Sequence, residues 1–141
     1  MSQLFKFLGA LAFSVCATVA SAQDAVLKPF VLGSKGAGDL AQKVEATKAA
    51  LTKAGFTVAG SYSPYANTTI VIVTNDELKT TAAKSEYGGF GAGQRVSITK
   101  VKDEVQVAYA NPAYWSNVFR LAGELKDPAA RLQAALGKVE E

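Results

Sequence analysis

Residues 95–121 read RVSITKVKDEVQVAYANPAYWSNVFRL, and this segment carries the clearest structural signals in the chain. Apolar and polar residues alternate over 95–102 and again over 104–110, which is the period of a strand with one buried face. Lys102 and Asp103 separate the two runs and predict the turn of a β-hairpin. The segment therefore predicts two paired antiparallel strands.

A helix is predicted directly after this hairpin. Asn111 is a preferred N-cap residue, and Pro112 suits the first position of a helix. An apolar stripe at the spacing i, i+3, i+4, i+7 follows, formed by Trp115, Val118, Phe119 and Ala122. This spacing predicts a helix that packs through the stripe, with Trp115 in a structural role.

The chain before the hairpin predicts a strand, a turn and a helix. Weak alternation predicts the strand at 25–32, where Pro29 places it at a sheet edge. The segment 33–38, GSKGAG, lacks the spacing of a Walker phosphate loop and is interpreted as a flexible turn. Helical periodicity then runs from a cap at Asp39 to a stop at Gly55.

Two further strands are predicted at 56–61 and 68–74. The second is apolar on both faces, with one pair of residues on each face: Ile70 and Ile72, and Val71 and Val73. Such a strand is typical of the interior of a sheet. If helices cover only one face, a second copy of the chain is the expected cover for the other, which predicts a homodimer.

Two more helices have recognisable starts. Thr74 and Glu77 have the spacing of a capping box and predict a mostly polar, exposed helix that ends near Ser85. Asp127 and Pro128 repeat the combination of cap and proline at the start of a last helix. Its predicted buried side consists of Leu132, Ala135 and Leu136.

The N-terminus predicts export. Lys6 precedes an apolar run over 7–19, and Ala-Ser-Ala at 20–22 is a small-residue cleavage site, so residues 1–22 are interpreted as a signal peptide. The apolar run is shorter than the roughly 20 residues of a membrane-spanning helix. We therefore expect a single domain, 23–141, that is periplasmic or secreted and has no stable membrane anchor.

Cleavage would remove the only cysteine, Cys16, and the only methionine, Met1, from a chain that has no histidine. Zinc, copper, haem and iron–sulfur sites, disulfides and histidine acid–base catalysis are therefore disfavoured, and we predict no cofactor and no metal site. The formal net charge of the chain is +3, and its charged residues form no block of one sign. We expect no nucleic-acid partner.

Three segments resemble a known family: QRVSI at 94–98, VQV at 105–107 and ANPAYW at 110–115. With the order of the predicted elements, they are similar to the bacterial family of domains of unknown function numbered 302 (DUF302), over about 30–123. The resemblance implies an α+β fold in the order β-α-β-β-α-β-β-α. Its curved antiparallel sheet of about four to five strands is backed by helices, as in the TATA-binding-protein-like class. The resemblance also implies a dimer in many members and no established activity.

The glycine-rich loop 86–94 is the first candidate for a binding site. Its backbone N–H groups, together with Arg95 and Lys84, could bind an anion or a carboxylate. The alternative is that Arg95 is a surface or interface residue that pairs with Glu86 or Glu104, as surface arginines commonly do.

Aromatic residues near this loop form the second candidate. Tyr87 and Phe90 could cover an apolar pocket between the sheet and a helix. The alternative is ordinary packing, with the glycines present for tight turns. Tyr114 and Arg120 lie off the predicted helical stripe and could face a ligand or a partner protein.

Three classes of function remain open. The first is a non-enzymatic, dimeric accessory protein that binds a small ligand or a periplasmic partner protein through the glycine-rich loop and the mixed face of the hairpin. The second is a structural homodimer or protein–protein interaction unit without a pocket. The third and least favoured is an enzyme that uses Tyr87 or Glu86 with Arg95. A cavity under residues 87–93 would favour the first class, and a flat, filled sheet would favour the second.

Overall fold

The computed structural model describes residues 26–139, so the predicted signal peptide lies outside the described residues. The five strands are β1 (Phe30–Ala37), β2 (Thr57–Tyr62), β3 (Thr68–Thr74), β4 (Gln94–Val101) and β5 (Glu104–Ala110). The helices are α1 (Leu40–Lys53), α2 (Asp76–Ala83), α3 (Pro112–Val118) and α4 (Lys126–Leu136), and a short 3₁₀ helix spans Gly88–Gly91.

The strands form one antiparallel sheet in the order β1-β5-β4-β3-β2. This arrangement confirms the predicted α+β fold. The hairpin of β4 and β5 is also confirmed, and Lys102 makes its turn with a left-handed φ of 55°. The strand predicted at 68–74 lies inside the sheet, between β2 and β4, as its two apolar faces indicated.

One face of the sheet, the covered face, carries the hydrophobic core. Its strand residues are at most 1% exposed: Val71, Val73, Val96, Ile98, Val105 and Val107. Helices α1 and α4 pack against each other and against the sheet, and they bring Leu51 and Leu132 into the same cluster. Fully burying a side chain of this size stabilises the fold by about 1.5–3 kcal/mol, so this cluster is the main source of stability.

The opposite face is less protected. We call it the open face and define it by Leu32, Tyr62, Ile70, Ile72, Ser97 and Ala108, which strand register places on one side. Each of these six residues is half-buried or exposed. Because alternate residues of a strand point to opposite faces, the predicted separation of the Ile70 and Val71 sides is confirmed.

The first strand differs from its prediction. It spans Phe30–Ala37 instead of 25–32, so the segment predicted as a flexible turn is mostly strand. The register of β1 against β5 shifts between Leu32 and Ser34, with Gly33 at the irregularity. A Cβ on Gly33 would lie 2.7 Å from the carbonyl oxygen of Leu136, so glycine is needed there for the close approach of the C-terminal segment.

The start of α2 also differs. Asn75, not Thr74, is the N-cap, and its Oδ1 accepts a hydrogen bond from the Leu78 N–H at 2.8 Å. The Thr74 hydroxyl instead donates to the Ala92 carbonyl at 2.7 Å, which keeps Thr74 at the end of β3. Although most of α2 is polar, Leu78 and Ala82 are buried and attach the helix to the core.

Helix α4 begins one residue before the predicted cap. Lys126 is its first residue, Leu125 precedes it with a left-handed φ of 52°, and Asp127 and Pro128 lie within the first turn. The predicted buried side is confirmed, because Leu132 and Leu136 are buried and Ala135 packs against the core. The main chain at Leu125, not a side-chain cap, makes this start, and residue spacing alone does not predict such a turn.

Candidate functional site

The glycine-rich loop forms a tightly packed turn between α2 and β4. A Cβ on Gly88 would lie 2.1 Å from the Ala82 carbonyl oxygen, and one on Gly91 would lie 2.5 Å from a Leu121 methyl carbon. Real Cβ atoms do not approach other atoms so closely. Gly88 is therefore required by the backbone of α2, whereas a Cβ at Gly91 would require the Leu121 side chain to move, and the Gly88 contact supports the interpretation of the loop as a tight turn.

The predicted cationic residues lie on the surface near this loop. Lys84 is the C-cap of α2, Arg95 is the second residue of β4, and Arg120 follows α3 with a left-handed φ of 51°. All three are exposed, and within residues 26–139 none takes part in an ion pair or a side-chain hydrogen bond. The alternative pairing of Arg95 with Glu86 or Glu104 is therefore wrong.

The aromatic residues form a connected group that we call the aromatic row: Phe30, Trp115, Phe119 and Phe90, with Tyr114 against Trp115. Trp115 and Phe119 are stacked with ring centroids 5.5 Å apart. Tyr114 meets Trp115 edge-on at 5.2 Å. Phe90 is 73% exposed, and Tyr87, which has a left-handed φ of 58°, is 79% exposed.

The predicted packing stripe of the third helix is wrong. Helix α3 ends at Val118, which is 48% exposed, and Ala122 lies beyond the helix. Its buried residues are Pro112 and Ser116, and the Ser116 hydroxyl is within hydrogen-bond distance of two carbonyl oxygens. The left-handed turn at Arg120 stops the helix before its fourth stripe position, so Trp115 and Phe119 remain half-buried.

Asn111 hydrogen-bonds both to the start of α3 and to residues 26–29, which we call the N-terminal arm. Its Oδ1 accepts from the Ala113 N–H at 3.2 Å, which confirms the predicted N-cap. Its Nδ2 donates to the Lys28 carbonyl at 2.9 Å, and its backbone N–H donates to the Pro29 carbonyl at 2.9 Å. The indole N–H of Trp115 donates to the same Pro29 oxygen at 3.0 Å. This corner therefore fixes residues 26–29 beside the sheet.

The arm forms one wall of a cleft of about 720 Å³, which we call the β1 cleft. Its lining comes from the arm, β1, the end of β5, α4 and the C-terminal segment: Val26, Leu27, Lys28, Phe30, Val31, Leu32, Ala108, Tyr109, Asn111, Ala129, Gln133, Lys138 and Val139. The residue pattern did not predict this site, because the weak alternation at 25–32 placed the arm within a strand. The apolar pair at 26–27 was the available signal.

The far side of the cleft is closed by the C-terminal segment. The Val139 N–H donates to the Leu32 carbonyl at 2.7 Å, and the Tyr109 hydroxyl donates to the Gly137 carbonyl at 3.0 Å. Burial raises the pKa of Tyr109 to about 12. Tyr109 therefore stays neutral and hydrogen-bonded through the physiological range.

A second, smaller cavity of about 260 Å³ lies between α1 and β5, and Lys43, Thr47 and Val107 are among its lining residues. Neither this cavity nor the β1 cleft includes any of residues 87–93. Within the described part of the chain, no three histidine, cysteine or acidic side chains come together as metal ligands. Over the same residues, no helix has the length and apolar character needed to cross a membrane.

Exposed charges elsewhere form local pairs. Lys79 lies 2.7 Å from Asp76 at the start of α2, and its hydrogen bond and positive charge lower the pKa of that carboxyl group. Both side chains are well exposed, so this is an ordinary surface pair.

No family model matches the chain, and no curated protein matches it. Its structure is similar to the crystal structure of an uncharacterized conserved DUF302 protein from Bacillus stearothermophilus, with a TM-score of 0.67 and 13% sequence identity. The match covers 78% of this chain and 97% of that protein. The chain therefore has the fold of a DUF302 protein over most of its length, which supports the resemblance drawn from its own residues.

Proposed function

We propose that this chain is an exported, non-enzymatic interaction module that pairs with a second copy of itself through the open face of its sheet. The observation that carries this proposal is the half-exposed apolar centre of that face, formed by Ile70 and Ile72 with Ala108 and Leu32. Contiguous apolar surface of this kind favours association with another macromolecule. The proposal of export rests on the signal-peptide pattern at 1–22. It predicts that the exported chain is cleaved after Ala22.

The distribution of charge suits a symmetric interface. Ser97, between β3 and β5 near the middle of the face, is uncharged, whereas Arg95 lies beside Ile72 toward one end of the sheet, Glu104 lies at the other end and Lys35 lies on the edge strand. Protein interfaces have the same arrangement, with an uncharged centre and a charged rim. A second copy stacked on the face would desolvate few charges.

The size of the face is also adequate. Five strands about 4.8 Å apart, each about 20 Å long, present roughly 500 Å² per copy. Two copies would then bury about 1,000 Å², which is the lower limit for a specific interface. We therefore expect a dimer of modest affinity that dissociates on dilution.

The glycine-rich loop is a weaker basis for function. Ala82 occupies the space beside Gly88, and Leu121 occupies the space beside Gly91. Neither described cavity reaches residues 87–93. A pocket beneath the loop was the feature that would have favoured ligand binding there. Neither the β1 cleft nor the smaller cavity supplies such a pocket.

Sedimentation equilibrium over a range of protein concentrations tests the pairing. The wild type is expected to dimerise at high micromolar concentration, and Ile72→Lys is expected to stay monomeric because it places a charge in the centre of the face. Ala41→Lys adds the same charge on the exposed side of α1 and should dimerise like the wild type. A monomeric wild type, or an Ile72→Lys protein that dimerises normally, would contradict the proposal.

A further inference from the structure

We propose that the β1 cleft binds carboxylates that carry one alkyl chain, as fatty acids do. The alkyl chain would lie along the apolar walls of the cleft, and the carboxylate would lie at its lysines. The cleft is formed within one copy of the chain, but Leu32 and Ala108 belong both to its lining and to the open face, so ligand binding is measured at concentrations where the protein is monomeric. It assigns ligand binding to the edge of the sheet, away from the glycine-rich loop.

The apolar lining is the first observation. Val26, Leu27 and Phe30 are 92%, 41% and 52% exposed, yet all three line this one cleft. Val31 and Leu32 of β1 continue the same wall. Large apolar side chains that gather on an exposed surface mark a binding site, because an apolar ligand would remove them from water.

The charge of the lining is the second observation. Lys28 and Lys138 both contribute to it, and none of its lining residues within 26–139 is acidic. The other polar groups are partly committed, because the Tyr109 hydroxyl donates to Gly137 and the Asn111 amide donates to Lys28. Gln133 is the remaining polar side chain, and the two ammonium groups are the only charges among the described lining residues, so a negatively charged headgroup is favoured.

The size of the cleft is the third observation. A volume of about 720 Å³ lies within the range of roughly 300–1,000 Å³ that is typical of small-molecule sites. The C-terminal segment closes one side through the Val139–Leu32 hydrogen bond. A cleft of this volume with apolar walls and two lysines fits a free fatty-acid-like anion.

Titration with dodecanoate below its micelle concentration tests the proposal, with octanoate as the shorter probe. Trp115 is the only tryptophan. Its ring centroid lies 5.9 Å from that of Phe30, and Phe30 lines the cleft, so Trp115 fluorescence should report occupancy of the cleft. Isothermal titration calorimetry gives the affinity. Octanoate should bind about a hundredfold more weakly, because it has four fewer methylene groups to bury.

A charge-reversal variant tests the headgroup. Lys28→Glu combined with Lys138→Glu should weaken dodecanoate binding at least about tenfold and should improve binding of dodecyltrimethylammonium. The matched control, Lys35→Glu with Lys100→Glu, changes the net charge equally at exposed positions outside the cleft and should bind dodecanoate like the wild type. These substitutions are at exposed residues, so all the variants should fold.

Several results would overturn the proposal. One is no dodecanoate binding, and another is equal weakening by the cleft variant and its control, which would indicate general attraction to a basic protein. Capture of anionic phospholipid vesicles without a response to free dodecanoate would assign the cleft to a membrane surface.

Discussion

The two faces of the sheet are made by the same strands and differ in what covers them. On β3, Val71 and Val73 are fully buried beneath the helices, whereas the neighbouring Ile70 and Ile72 are only half-buried. The side chains are equally apolar, so hydrophobicity does not distinguish the faces. The placement of α1 and α4 makes one face a core and leaves the other available to a partner.

Shortening an isoleucine to alanine on each face should give the largest difference in the free energy of unfolding. Ile98→Ala on the covered face should lower the free energy of unfolding by about 2–5 kcal/mol, because it leaves a cavity in the core. Ile72→Ala on the open face should cost about 1 kcal/mol or less at concentrations where the protein is monomeric. Urea unfolding of both variants measures the two losses, and equal losses would mean that the open face is covered within one chain.

The edge of the sheet offers a comparison between two glycines of β1. Gly33→Ala should destabilise the fold by about 1–3 kcal/mol, because its Cβ would collide with the Leu136 carbonyl at the end of α4. Gly36→Ala has nothing within 4 Å of its Cβ and should leave stability unchanged or raise it by up to about 1 kcal/mol. Thermal unfolding distinguishes the two, and a Gly33→Ala protein as stable as the wild type would mean that this contact is easily relaxed.

The smallest effect concerns Tyr109, which joins the covered face to the C-terminal segment. Its pKa of about 12 lies above its ordinary value of 10, so the folded state favours the neutral phenol. The resulting stabilisation should be complete below pH 10 and should decline as the pH rises toward 12. Tyr109→Phe should lose this part of the pH dependence and should cost about 1 kcal/mol at neutral pH, for the hydrogen bond to Gly137.

Denaturant unfolding of both proteins across this pH range provides the measurement. Tyrosinate absorbance of the folded wild type should include one titration near pH 12 that is missing from Tyr109→Phe. If the two proteins lost stability in parallel between pH 10 and 12, other groups would be responsible for the decline.

The parts of the fold that were predictable depend on interactions between near neighbours. The alternation over 104–110 matches β5 residue for residue, and the Asn111–Pro112 start of α3 was recognised because an N-cap and its target are two residues apart. The cap of α2 was misplaced by one residue, from Asn75 to Thr74, because both side chains can cap and only the contact with Ala92 decides between them.

The candidate site was harder to predict than the fold. The loop at 87–93 was identified as a segment, but the packing of its glycines against Ala82 and Leu121 depends on residues that are distant in sequence or on the far side of a helix. The stripe from Trp115 to Ala122 failed because Arg120 turns the chain out of the helix. The β1 cleft requires both ends of the chain to meet at one strand, and no local pattern contains that information.

The sequence by itself determined the α+β class, the alternation of the strands, the position of the hairpin and the chemical groups that the protein can use, because these follow from residue identity and short-range spacing. Only the tertiary structure decided which face of the sheet is covered, that the GSKGAG segment is an edge strand, and that residues 26–29 and 137–139 enclose a cleft. The physical reason is that burial depends on what packs against a side chain from elsewhere in the chain: Ile72 and Ile98 are the same residue type in neighbouring strands, but only Ile98 lies under the helices.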